Sequence, residues 1–312
     1  MANEILGAKS YLVLETESTW GTTPGSTWVH MPVHEYSVKF RPERRNSVPF
    51  LGLRQRKHGK NFRGMPSGTL RTSLFGQVDS GASVSLAQYL LDWALANPET
   101  QTRPSKSAQW AEGPGVADKA HTGLRVNQLT LSGSEDSGFV EVALDLMGKS
   151  DAVEGSIETL PTDREKIQEM EFFDCTFALA GSSVNLASFQ YVVNHNLKPY
   201  YLNSYTPTLI EPGGLVETLQ FTLIKNAATY DAYRRATTAT EVTGQIVCKG
   251  LHNGTGSGSN TIVTIDFDRL SYVNHDDQVD FNSLTKIPLQ FDVLKPDSSS
   301  NGITITYSDD GP

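Results

Sequence analysis

At 312 residues, with 38% hydrophobic and 20% charged residues, the chain has the length of about two domains of ~150 residues each and the makeup of a soluble globular protein with modest cores. It holds no run near the ~18 apolar residues of a membrane span. Its amino terminus shows no basic region followed by an apolar core, so neither a membrane nor a secretory route is expected. The net charge of −9 is unevenly spread. Residues 1–150 carry 16 Lys/Arg against 14 Asp/Glu and residues 151–312 carry 10 against 21, while residues 40–71 alone hold nine bases and one acid, Glu43. The pattern is one basic segment on an acidic body.

Tyr11 to Glu15 reads as a strand, Thr16 to Ser26 as turn-rich, and Val29 to Val38 as extended. From Arg41 to Pro66 periodicity lapses under Pro42, Pro49, Gly52, Gly59, Gly64 and Pro66. This predicts a long basic loop over 41–66, of a length usually functional or disordered. Gly68 to Phe75 is a strand. Leu86, Tyr89, Leu90 and Trp93 fall at i, i+3, i+4 and i+7, which predicts a helix over 85–97 that uses the stripe for packing, with Ser85 as cap and Pro98 as stop. Pro98 to His121 reads as an exposed excursion. Leu124–Leu131 and Phe139–Met147 form a hairpin; in the latter, Val140, Val142, Leu144 and Leu146 alternate with Glu141, Ala143 and Asp145, one face buried and one solvated. Ser150 to Glu171 is polar and highly charged, with a short helix at 163–170, and is the best linker. Strands follow at 172–179, 189–193, 216–224, 244–249, 261–268, 286–293 and 303–307, with a second short helix at 229–237 and a Pro/Tyr-rich loop over 199–214.

These elements repeat. Tyr11–Leu14 returns as Thr176–Leu179, Tyr36–Pro42 as Tyr191–Pro199, Thr69–Leu74 as Thr218–Leu223 and Val140–Leu146 as Ile287–Val293. The order is kept while the offset shrinks from 165 to 147. Repetition of a β-unit usually serves assembly, each unit making equivalent contacts to a neighbour. The chain therefore divides into a first unit over 1–155, a linker over 156–171 and a second unit over 172–312. The fold class is mainly β: two tandem β-sandwich or partly open barrel units, each with one short α-helix and long loops.

Motifs of chemistry are missing. His30 and His34 flank Pro32 and cannot share a helix face, and no zinc spacing occurs. Gly254–Gly258 lacks the Lys-Ser/Thr and helix of a phosphate loop, and Asp276, Asp277 and Asp280 lack the spacing of a calcium loop. No nucleophile sits in a recognisable turn. Neither an enzyme nor a cofactor or metal is expected. Cys175 and Cys248 read as two buried reduced thiols, not a disulfide.

The opening Tyr11-Leu-Val-Leu-Glu-Thr-Glu-Ser-Thr-Trp-Gly-Thr-Thr-Pro24 resembles the start of the major tail tube proteins of long, non-contractile-tailed bacteriophages. The likeness continues through Tyr36-Ser-Val38, the glycine- and arginine-bearing loop, Gly68-Thr-Leu70, one helix at 86–96 and the hairpin Gly123–Leu131 to Asp145–Lys149. It implies tail-tube-like units in a virion protein that is assembled in the host cytoplasm. Rings of such subunits would stack into a tube whose continuous β-barrel conducts DNA without binding it specifically. Implied partners are further copies of the chain and other tail proteins such as the tape measure, tail terminator and tail tip.

The residues support this reading on their own. An acidic body suits a DNA conduit, because lumenal bases would grip phosphate, and a basic loop on an acidic body is complementary head to tail. Glu141 and Asp145, their repeat equivalents Gln290 and Asp292, and secondarily Asp266 and Asp268, are expected to face the lumen. Arg41, Arg44, Arg45, Arg54, Arg56, Lys57, Lys60 and Arg63 are expected to reach a neighbouring subunit, in the adjacent ring. Two units per chain predict a trimeric ring with pseudo-sixfold symmetry in preference to a hexamer. The competing classes are a β-sandwich adhesion or carbohydrate-binding module, and a nucleic-acid binder using residues 41–63. The missing signal sequence opposes the first; the second has only Phe50 and Phe62 to stack bases.

Overall fold

Long strands with one buried face dominate the chain. The computed structural model describes residues 11–24, 28–47, 58–77, 85–95, 104–111, 118–154, 169–224, 227–251, 260–275, 286–295 and 302–310. The first half supplies β1 (Tyr11–Thr16), β2 (Val29–Met31), β3 (Glu35–Tyr36), β4 (Lys39–Ser47), β5 (His58–Ser73), α1 (Leu86–Leu95), β6 (Lys106–Ala111), β7 (Asp118–Ser134), β8 (Val140–Met147) and β9 (Ser150–Glu154). A 3-10 turn at Phe172–Asp174 opens the second half. It continues with β10 (Thr176–Leu179), β11 (Ser182–Val184), β12 (Leu186–Asn194), β13 (Lys198–Tyr200), β14 (Leu209–Glu211), β15 (Val216–Ile224), α2 (Ala227–Thr238), β16 (Val242–Leu251), β17 (Asn260–His275), β18 (Lys286–Val293) and β19 (Ile303–Asp310).

The pairing order is the same in both halves. β1 pairs β2 and β6, and β6 pairs the first part of β7, which also takes β9; in the second half β10, β11, β16, β17 and β19 pair likewise. The later part of β7 pairs β8, which pairs β5, just as the later part of β17 pairs β18, which pairs β15. Each half is thus a short outer layer and a longer main layer, with β7 or β17 running through both. Gly123, in the left-handed region at φ 69, marks the passage of β7 between layers.

The main layers join edge to edge. β12 pairs β7 antiparallel from Ser188↔Ser134 to Asn194↔Gln128. The resulting sheet runs β4-β5-β8-β7-β12-β15-β18-β17, eight antiparallel strands that do not close into a barrel. One buried cluster runs through both halves, from Leu12, Leu70 and Leu144 to Tyr191, Phe221 and Phe291. Burying an aromatic of this size contributes roughly 1.5–3 kcal/mol, and Tyr191 adds an edge-to-face contact to Phe267 at 5.1 Å. Other contacts tie the halves: His195 Nε2 donates to the Ala94 carbonyl at the end of α1 at 2.7 Å, and Thr261 Oγ1 donates to the Gly76 carbonyl at 2.8 Å.

Three expectations need correction. The stretch read as a loop over 41–66 is paired, Lys39↔Ser67 through Ser47↔His58, so β4 and β5 form a hairpin arm; residues 48–57 lie outside the described residues. Its prolines mislead because Pro42 and Pro66 fall where their strands have a neighbour on one side only, where a missing N–H costs no ladder bond. Gly64 is there for close approach: a Cβ would come within 2.6 Å of the Phe40 ring. The excursion at 98–121 contains β6, a buried strand whose Ala108 is fully inaccessible; its Ser and Gln content hides the pattern. The linker ends in core, since Glu169 bridges Phe75 and Met170 is fully buried; residues 155–168, with most of the helix read at 163–170, lie outside the described residues. Both cysteines are free and buried, and a hydrogen bond from the neighbouring Cys248, with burial, pushes the Cys175 thiol up.

Candidate functional site: the polar face and the sheet edges

Strand alternation gives the eight-stranded sheet a second face, away from the core. Register places Ser73, Glu141, Ser132, Gln190, Gln220 and Gln290 side by side across six strands. The neighbouring row is Arg71, Ala143, Thr130, Val192, Thr218 and Asp292. Glu141, Asp145 and Asp292 are exposed on it. Cations stand only at its margins among the described residues of β5, β8, β7, β12, β15 and β18. Arg71 lies 3.7 Å from Glu35, Lys286 lies 2.5 Å from Glu135, and Arg63 on the arm lies 2.6 Å from Glu43. The face is neutral-polar to acidic over its whole centre.

Glu141, Asp145, Gln290 and Asp292 therefore share one face of the sheet. Asp266 and Asp268 do not join them. They sit on the first part of β17, in the outer layer with β16 and β19, where Asp266 accepts from Gln245 Nε2 at 2.7 Å. Val263, Ile265 and Phe267, which alternate with them along the strand, face the shared core, so the two aspartates point to the opposite side of the sandwich. Alternation alone shows that a strand has a polar face, not which layer carries it.

The basic arm starts on its own chain. Arg63 lies over the Tyr201 ring at 4.9 Å, and the Gly64 N–H donates to the Tyr205 carbonyl at 2.9 Å. The region read as a Pro/Tyr-rich loop is thus the docked hairpin β13–β14, whose Ile210 carbonyl accepts from Arg125 Nη1. Arg41 and Arg63 are exposed. Arg44, Arg45 and Lys60 lie within the paired strands, but their side chains, and Arg54, Arg56 and Lys57 entirely, lie outside the described residues.

The residues of the Trp20–Gly21 turn form a clamp that sequence reading did not assign. Glu17 is only 9% exposed. Its carboxylate accepts from the Gly21 and Gly123 backbone N–H groups and the Ser105 and Ser107 hydroxyls, each at 2.7 Å. Trp20 Nε1 donates to the Gly123 carbonyl at 3.0 Å, and Arg125 lies 5.2 Å from the Trp20 ring. The clamp locks the exit of β1 onto β7 where β7 changes layers. An acid three residues before Trp-Gly was the available signal.

Two buried bases beside it set a pH dependence. Burial lowers Lys106 from 10.5 to about 7, with Asp92 opposing, while its Nζ donates to Thr16 Oγ1 at 2.8 Å. Burial, then Lys119, lowers His121 from 6.5 to about 4. Both folded values lie below the unfolded ones, so the unfolded chain binds more protons in each interval. Stability should rise with pH between about 4 and 6.5 through His121 and between about 7 and 10.5 through Lys106. Urea midpoints across pH should show both rises, and Lys106→Met should flatten only the upper one.

Among the described residues the sheet is open and antiparallel, packed on one face and solvated on the other, with a strand at each end that has a partner on one side only, which makes the chain a β-sandwich protein. The chain belongs to the phage tail tube protein family, whose model matches residues 7–303. It is a structural protein of the bacteriophage virion, a component of the tail. Among curated proteins none matches the chain. No helix of the described residues is long and apolar enough to cross a membrane, and no group of three or more His, Cys, Asp or Glu among them is placed to hold a metal ion.

Proposed function

We propose that three copies of this chain close into a ring of pseudo-sixfold symmetry, and that rings stack into a tube through which DNA leaves the particle. The observation that carries this is the eight-stranded main sheet with a base-poor polar face and, among the described residues, one-sided strands at its two ends. Eight strands from each of three chains, ~4.8 Å apart, give a perimeter of roughly 115 Å even before tilt widens it. The polar face would be the lumen wall, with Glu141, Asp145, Gln290 and Asp292 on it, where a moving phosphate backbone finds few cations, and Arg71 and Lys286 among them already lie beside Glu35 and Glu135. Assembly takes place in the host cytoplasm, with the tape measure, tail terminator and tail tip proteins as further partners.

The arm from Arg41 to Arg63 reaches a neighbouring subunit, and its bases Arg41, Arg44, Arg45, Arg54, Arg56, Lys57, Lys60 and Arg63 meet acidic surface there. Single exposed ion pairs contribute about 0–1 kcal/mol, so the effect comes from repetition around each ring. Concentrated protein should form tubes visible by electron microscopy. Reversing Arg54, Arg56 and Lys57 to Glu should abolish them while leaving a folded subunit; normal tubes from that variant in low salt would overturn the role of the arm.

A further inference from the structure

The contact between the two halves of one chain has a counterpart that the chain leaves unfilled. β12 has a partner on each side, β15 and β7, and the later part of β7 likewise has β8 and β12. Their equivalents have one each among the described residues: β3 and β4 pair only β5, and the later part of β17 pairs only β18. We infer that the β7–β12 ladder is the template for the ladder between copies, so that the free edge of β17 receives the β3–β4 edge of a second copy with Ser271 opposite Lys39. This rests on the ring reading and adds to it the two edges and their register.

The register follows from positions matched through shared partners. Leu70 stands opposite both Tyr36 and Leu144, and Leu219 opposite both Tyr191 and Phe291. Ser67 stands opposite Lys39 as Val216 stands opposite Asn194. On the other edge Asp145 faces Gln128 as Asp292 faces Ser271, and Leu144 faces Leu129 as Phe291 faces Tyr272. Within the chain Asn194 lies opposite Gln128 and Val193 opposite Leu129. Carried to the free edges, Lys39 of one copy lies opposite Ser271 of the next, and Val38 opposite Tyr272.

The chemistry of the edges agrees. Lys39 would enter a row of Ser271 and Asp292, base toward acid, and the 49% exposed Val273 would be covered. The hairpin that follows also has its place. Arg125, one residue before Val126, is 5% exposed beneath Ile210 and Trp20. Arg269, one residue before Leu270, holds the same position, with Val293 facing Leu270 as Leu146 faces Val126. Its guanidinium binds Glu241 at 2.6 Å, its side chain is 30% exposed, and beside it opens a cavity of about 550 Å³ lined by Glu241, Thr243 and Asp268. In the first half the Trp20 turn covers that position; in the second, the tight turn at Ala180 and Gly181 leaves it open to the arm of the second copy.

Mixing two single variants tests this. Lys39→Cys and Ser271→Cys copies, assembled together and oxidised with diamide, should give covalent dimers at least about ten times more abundant than either variant alone, because only directly opposed residues bring Cα atoms within disulfide reach. A mixture of Lys39→Cys with Thr218→Cys, whose position lies in mid-sheet, should give none. The buried native cysteines should not contribute. Tubes that form without the dimer would overturn the register, whereas wild-type protein that never forms rings would overturn the ring reading itself. If a cysteine variant blocks assembly, the charge pair decides: Lys39→Glu should lose tubes and Asp292→Lys should restore them, and no rescue counts against the edge.

Discussion

Glu17→Ala should lower stability by about 4 kcal/mol or more, the largest single-residue effect outside the aromatic core. The substitution strips the acceptor from two backbone N–H groups and two hydroxyls at once, all at 2.7 Å and all but the Gly21 bond buried. Hydrogen bonds to a charged group contribute roughly 1.5–3 kcal/mol each, and every buried donor left unpaired adds its desolvation cost. Glu17→Gln keeps the shape, restores part of the bonding and should lose about half as much. Urea titration measures both. A loss below about 1 kcal/mol for the alanine variant would mean that water or a rotated serine replaces the carboxylate, and that the clamp does not hold β1 to β7.

Glu141→Lys with Asp145→Lys should turn tubes that ignore DNA into tubes that hold it. Both positions are exposed on the polar face of β8, so the subunit should fold normally. The exchange would place two lysines on the wall in every chain, and each phosphate neutralised steepens the salt dependence of binding by about 0.9 in the logarithm. Duplex DNA should therefore co-sediment with variant tubes at low salt, release as salt rises, and stay free of wild-type tubes throughout. Equal retention by wild-type tubes would remove the case for a low-friction wall.

What was readable in the chain depended on whether polarity tracked burial. In β8 and β18 it did: Val140 to Leu146 and Ile287 to Val293 alternate cleanly, and their equivalence survives in the pairing. The helix stripe of α1 was equally plain, with Leu86, Leu90 and Trp93 all buried. In β6 it did not, because Ser107 and Gln109 are buried polar residues and Ser107 is there to serve Glu17. The arm was hidden because a two-stranded hairpin has no core to impose alternation, and its glycines and prolines are tolerated at an edge. Asp266 and Asp268 stand apart from Glu141 and Asp145 for a further reason. One strand, β17, serves two layers whose open faces are on opposite sides, and period-2 alternation is blind to where a strand passes from one to the other.

The mass of one isolated ring tests the central claim most directly. Mild dissociation of assembled tubes followed by native mass spectrometry should yield a closed species of three chains of 34.1 kDa each, with threefold symmetry in end-on images. A ring of six chains would contradict the account, because the second half would then lie outside the lumen wall and the ladder between β7 and β12 would not be the model for the contact between copies.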